Sequence, residues 1–137
     1  MNPADLFSRE TDTLNLASGD TLFKSGEPGD AMFILLEGAM DVMVGGKVVE
    51  RSTRGAIVGE MAIIDQSPRG ATVVARESSR LAKIDQRRFL YLIQQNPFFA
   101  THVMKVLADR LRQMNQLVGQ KPGQQATGGP LDFSRDL

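Results

Sequence analysis

The chain has 137 residues, enough for one domain with a real core and too few for two of ordinary size. Its sixteen Lys and Arg balance sixteen Asp and Glu, so no overall field draws it to nucleic acid or to an acidic membrane surface. There is no cysteine and one histidine, His102, which excludes disulfides, thiolate metal sites and multi-histidine metal centres.

No apolar run approaches the ~20 residues of a membrane span, and residues 1–10 carry no signal-peptide pattern, so a cytoplasmic protein is expected. From residue 11 to residue 85, short apolar runs alternate with turn chemistry. Ser18-Gly19-Asp20, Gly26-Glu27-Pro28-Gly29-Asp30, Glu37-Gly38, Gly45-Gly46 and Arg54-Gly55 recur at a spacing that fits an all-β sandwich or barrel. Residues 31–36 are continuously apolar and read as a strand buried on both faces. Met40, Val42 and Val44 alternate with Ala39, Asp41 and Met43, and Gly45-Gly46 closes a tight hairpin into residues 47–51. A second alternation covers residues 71–76, and a further strand residues 80–84. Short strands of this number and length predict a β jelly roll.

The pattern changes to helix at Asp85, which can cap a helix whose apolar face is Phe89, Leu92 and Ile93. Asn96-Pro97 stops that helix and starts a second, expected to reach Val118. Met104, Leu107, Leu111, Met114 and Val118 form a stripe on the second helix. It could dock on the sandwich, pair with a second copy or another partner, or close over a ligand. Residues 119–137 shift to Gln, Gly, Pro and Ser and are expected to be a disordered tail, leaving residues 11–118 as the domain.

The connection from Gly59 to Thr72 concentrates the chemistry. Gly59 permits a sharp turn and close backbone approach; Glu60, Met61 and Ala62 can begin a short helix whose first N–H groups lack intrahelical acceptors. Asp65-Gln66-Ser67-Pro68 ends that helix, and Arg69 enters just before the next strand, where its planar fork can hold two phosphate oxygens. A carboxylate beside a phosphate site opposes binding unless it accepts hydrogen bonds from a sugar hydroxyl. The competing interpretation of Glu60 and Arg69 is an exposed loop salt bridge, worth about 0–1 kcal/mol.

Gly59-Glu60-Met61-Ala62 and Pro68-Arg69-Gly70-Ala71-Thr72 resemble the phosphate-binding cassette of the cyclic nucleotide-binding domain family. The segment from Gly19 to Gly38, with its repeated glycines, resembles the first half of the same domain. The resemblance covers residues 11–118 and implies a jelly roll followed by helices. It implies that Glu60 binds the ribose 2′-hydroxyl and Arg69 the cyclic phosphate, with backbone N–H groups at Met61, Ala62, Gly70 and Ala71 completing the contacts. Gly59 belongs to the same turn, and Thr72 stands where the motif carries a hydroxyl. Members preferring cGMP often have Thr or Ser directly after the arginine; Gly70 stands there in this chain, which leans toward cAMP. Val58 replaces the usual aromatic before the cassette glycine. Arg110 or Arg112 could stack on the base or simply be solvated.

The implied function is a non-catalytic regulatory module for a cyclic nucleotide, with no cofactor and no metal. Ligand would draw the cassette inward while the helices after Asp85 rearrange. No nucleic-acid partner is expected, since the residues after the second helix are too few and too rich in Gly and Pro for a helix-turn-helix. A jelly-roll metalloenzyme of cupin type would need more histidines than His102. The remaining alternative is a degenerate domain that serves as a protein-interaction scaffold.

Overall fold

The computed structural model describes residues 2–119. A short 3-10 helix (Pro3–Phe7) comes first, capped by the Asn2 side chain, which accepts from the Ala4 N–H at 2.9 Å. The strands are β1 (Thr13–Leu16), β2 (Thr21–Phe23), β3 (Ala31–Glu37), β4 (Met40–Val44), β5 (Lys47–Ser52), β6 (Ile57–Val58), β7 (Thr72–Ala75) and β8 (Ser79–Asp85). Helix α1 (Glu60–Ile64) interrupts them between β6 and β7, and α2 (Gln86–Gln95) and α3 (Pro97–Gly119) follow.

Two four-stranded antiparallel sheets result, in the orders β1-β8-β3-β6 and β2-β7-β4-β5. Neighbours distant in sequence pair within each sheet, which is the jelly-roll arrangement expected. Phe33 and Leu35 of β3 meet Phe23, Met40, Val58, Val73, Ala75 and Leu81 in the core between the sheets. Met32, Ile34 and Leu36, on the opposite face of β3, are also buried, and the 3-10 helix and α1 both contact that strand. Burial on two faces is the physical reason for the unbroken apolar run. Val44 departs from the expected apolar face: it ends β4 at the hairpin tip and is half exposed. Gly45 and Gly46, with φ of 60° and 79°, make the tight turn there.

The 3-10 helix was not legible as an element, because five residues give too short a period to read. Both helix starts agree with expectation. The Asp85 side chain accepts from the Arg88 N–H at 2.8 Å, and the Asn96 side chain from the Phe99 N–H at 3.2 Å. Contacts divide the chain into two compact units at His102 and Val103, within α3. The first holds both sheets, α1, α2 and the start of α3; the second contains the rest of that helix. In the apolar stripe, Met104 is 60 % exposed, while Leu107 and Leu111 are partly buried. Among the described residues, no helix is long and apolar enough to cross a membrane. Of the tail expected at residues 119–137, Gly119 ends α3 instead, and the remainder, from residue 120 onward, lies outside the described residues.

Candidate functional site

The turn after β6 is built around Gly59, whose φ of 79° is left-handed and favours glycine. Space adds a second requirement: a Cβ there would collide with Arg69 Nη1 and press on the Phe23 ring. Helix α1 starts immediately afterwards, and no side chain caps its first N–H groups. Glu60 is 2 % exposed, and Ala62 and Ile63 are buried, whereas Met61 faces outward. Asp65 closes the helix by donating its backbone N–H to the Met61 carbonyl at 3.0 Å. The Ser67 hydroxyl, then the Ser67 N–H, hold the Asp65 carboxyl below its ordinary pKa and fix the bend before Pro68.

Arg69 is only 8 % exposed. Its Nη1 donates to the Gly59 carbonyl at 3.1 Å, and its guanidinium carbon lies 4.2 Å from the centroid of the Phe23 ring. The backbone at Arg69 is held as well. Its N–H donates to the Glu27 carbonyl at 2.8 Å, and its own carbonyl accepts from the Gly26 N–H at 2.7 Å. Gly29 leaves the space that the guanidinium occupies, since a Cβ there would run into it. Burial lowers the Arg69 pKa, and the charges of Asp30 and Glu27 oppose that shift; the group stays protonated. Its Nε is buried and has no hydrogen-bond acceptor among the described residues. A buried donor without an acceptor is costly, by about 1–3 kcal/mol, and a ligand oxyanion would remove that cost.

Glu60 and Arg69 are thus both buried, so the exposed-salt-bridge interpretation does not hold. The other expected site residues are distributed less evenly. Gly70 is exposed, with open space where a Cβ would stand, and Ala71 is partly buried. Thr72 begins β7, and its Oγ1 accepts from the Ser25 N–H at 3.0 Å. That hydroxyl ties the loop after β2 to the far end of the cassette. Among the two candidate arginines of α3, both in the second unit, Arg112 pairs with Asp109 one turn away and Arg110 is partly buried. His102 lines a small notch with Pro3, Leu6, Phe98 and Phe99. No group of three potential metal ligands occurs among the described residues.

Sequence reasoning missed the seat of Arg69. Phe23 supplies its flat platform, and residues 26–29 supply its backbone partners and its space. The only advance signal was the density of glycines in that loop, which reads as turn chemistry alone.

Known proteins resemble the chain in sequence and in fold. The sequence profile described as "Cyclic nucleotide-binding domain" matches residues 13–96. The chain is 35% identical over 102 residues to the Pycsar effector protein XpPycTIR of Xanthomonas perforans, covering 74% of this chain and 34% of that protein. It is 33% identical over 84 residues to a cAMP-dependent protein kinase regulatory subunit of Emericella nidulans, covering 60% of this chain and 20% of the relative. Among solved structures, the Catabolite Activator Protein of Thermus thermophilus superposes with a TM-score of 0.73 at 25% identity, over 85% of this chain and 57% of that one. The chain therefore belongs to the cyclic nucleotide-binding domain family. It spans about a third or less of the length of these two curated relatives.

Proposed function

We propose that the chain is a non-catalytic regulatory module that binds a cyclic nucleotide at the Gly59–Thr72 cassette, with cAMP favoured over cGMP. The observation that carries this reading is the buried Arg69, stacked on Phe23 with its Nε–H lacking an acceptor among the described residues and its Nη1 on the carbonyl of Gly59, the residue before the buried Glu60. Arg69 takes the cyclic phosphate and Glu60 the ribose 2′-hydroxyl. Backbone N–H groups at Met61, Ala62, Gly70 and Ala71 add to the grip, and Thr72 holds the cassette to the loop after β2. The adenine preference rests on Gly70, which offers no hydroxyl to a guanine edge.

Signalling would follow from movement of α1. An open cleft of about 540 Å³ lies between Ala62 and Ile63 of that helix, with Gln66 just beyond it, and the junction of β8 and α2 at Asp85, Gln86 and Arg87. Ligand that draws α1 inward changes the room available to α2, so the two arrangements differ in ligand affinity. An effector or a second copy meeting α3 belongs to the same proposal, supported by the exposed Met104 on the apolar stripe. The proposed setting is the cytoplasm, that of a diffusible nucleotide signal.

Thermal unfolding with cAMP, cGMP and 5′-AMP tests the reading. A ligand at a hundred times its Kd adds about 2.7 kcal/mol of stability. The expected order of stabilisation is cAMP, then cGMP, with 5′-AMP far behind. Failure of both cyclic nucleotides to raise the melting temperature would leave the scaffold interpretation.

A further inference from the structure

The loop that seats Arg69 is also acidic, reading Gly26-Glu27-Pro28-Gly29-Asp30. The Glu27 carbonyl takes the Arg69 N–H at 2.8 Å, and the guanidinium lies so close over Gly29 that a Cβ there would collide with it. Glu27 and Asp30 stand on either side of that contact. Both are held in place. The Glu27 carboxylate accepts from the Lys24 N–H at 2.6 Å, and its own N–H donates to the Lys24 carbonyl at 3.1 Å. Asp30 leads directly into β3, whose first residue, Ala31, is buried and stands opposite Asp85.

The charges of Asp30 and Glu27 reach Arg69, and Glu60 adds a third carboxylate at the same cassette. Neither Glu27 nor Asp30 enters an ion pair among the described residues. Arg87 shares the cleft beside α1 with Asp30, but Asp85 lines that cleft too. The arginine is seated by the Phe23 ring, the Gly59 carbonyl and the loop backbone, so the two loop carboxylates contribute charge alone. Such an excess of negative charge weakens any anion site, and it weakens the site most for the most highly charged anion. A cyclic phosphodiester carries a single negative charge. A phosphate monoester carries about 1.5–2 at neutral pH.

We propose that Glu27 and Asp30 form an electrostatic filter beside Arg69, which admits the singly charged phosphate of a cyclic nucleotide and rejects the more highly charged phosphate of nucleoside monoesters and polyphosphates. The inference rests on the phosphate being held at Arg69. The filter lowers affinity for every nucleotide, and in return it separates a cyclic signal from noncyclic nucleotides by charge as well as by shape.

The experiment is displacement of a fluorescent cAMP analogue by cAMP, by 5′-AMP and by the methyl ester of 5′-AMP, on wild type, Glu27→Gln and Asp30→Asn. The ester is acyclic like 5′-AMP but carries one charge, so comparing the two isolates charge from ring closure. Both substitutions keep the size of the side chain, and glutamine can still accept from the Lys24 N–H. Affinity for 5′-AMP relative to the ester should rise by about threefold in each variant, and the gain should shrink as salt is added. A ratio of affinities is insensitive to any loss of folded protein. An unchanged ratio removes that residue from the filter, and an unchanged ratio in both variants overturns it. Failure of 5′-AMP to compete on either variant at millimolar concentration would show exclusion by shape, and would overturn it equally. If wild type does not bind the cAMP analogue at all, the proposed nucleotide site itself falls.

Discussion

The guanidinium of Arg69 stacks on the ring of Phe23, and this contact joins three stretches of chain that are far apart in sequence. Phe23 ends β2, residues 26–29 close over the arginine from the following loop, and Gly59 receives its Nη1 hydrogen bond. Stacking holds the plane of the fork while leaving its edge donors available, which suits recognition of a phosphate. Phe23 is itself packed against Phe33, with ring centroids 6.3 Å apart, so the platform is part of the core. The position of the proposed anion site is thereby tied to the packing of the sandwich.

Arg69→Ala should weaken cyclic nucleotide binding by ~3 kcal/mol, about a hundredfold, because a partly buried phosphate loses its main partner. Phe23→Leu keeps an apolar side chain but removes the ring face, and should cost about 1 kcal/mol of affinity. Titration calorimetry separates the two magnitudes. Unchanged affinity in Arg69→Ala would show that the phosphate binds elsewhere.

Glu60→Ala should cost roughly 1.5–3 kcal/mol with a ribose ligand, the value of hydrogen bonds to a charged acceptor. The same substitution should matter little for a 2′-deoxy cyclic nucleotide, which has no hydroxyl to donate. The comparison is a double-mutant cycle between a side chain and a ligand group. Equal losses with both ligands would remove the assigned contact.

Gly59 and Gly45 make a useful pair, since both have positive φ but only Gly59 is crowded. A Cβ at Gly45 would meet nothing within 4 Å, whereas one at Gly59 would meet Arg69 and Phe23. Gly45→Ala should lower stability by about 1 kcal/mol through backbone strain and leave binding intact. Gly59→Ala carries the same strain and also displaces the guanidinium, so both melting temperature and nucleotide affinity should fall. Denaturant titrations and binding isotherms on the two variants check this, and normal affinity in Gly59→Ala would contradict the Gly59–Arg69 coupling.

Much of this architecture was legible because local rules and the fold agree. Residues 31–36 read as a doubly buried strand and are one, and Asp85 and Asn96 read as helix caps and make those hydrogen bonds. Glu60 and Arg69 could be singled out because a carboxylate and a guanidinium flank a turn and a proline in a recognisable order. What stayed hidden depends on pairing across the sheets. Nothing in residues 19–30 says that Phe23 will lie under an arginine forty-six positions later, because that follows from β2 pairing with β7. The register shift in β5 was similarly opaque: Val42 opposes Glu50 but Met43 opposes Val48, and a strict alternation of residues does not reveal a bulge.

The Glu10–Arg88 ion pair ties the segment before β1 to α2, the helix proposed to respond to ligand. The hydrogen bond from Arg88 is the main reason that the Glu10 carboxyl sits below its ordinary pKa; partial burial opposes the shift, and the Asp12 N–H adds to it. A carboxyl with a folded pKa below its unfolded value stabilises the fold above the ordinary carboxylate range. That contribution is lost as pH falls through the folded value. Glu10→Gln should therefore be less stable than wild type by about 1 kcal/mol at pH 7, a modest figure because the Arg88 side chain is 38% exposed. The gap should close as the solution is acidified below the ordinary carboxylate pKa of 4.5. Arg88→Ala should cost more and keep part of its deficit in acid, since Arg88 also lies 5.2 Å from the Phe7 ring centroid, a contact without a titrating partner. Urea unfolding of the three proteins across this range measures both effects, and a Glu10→Gln deficit that persists undiminished in acid would refute the electrostatic account of the tether.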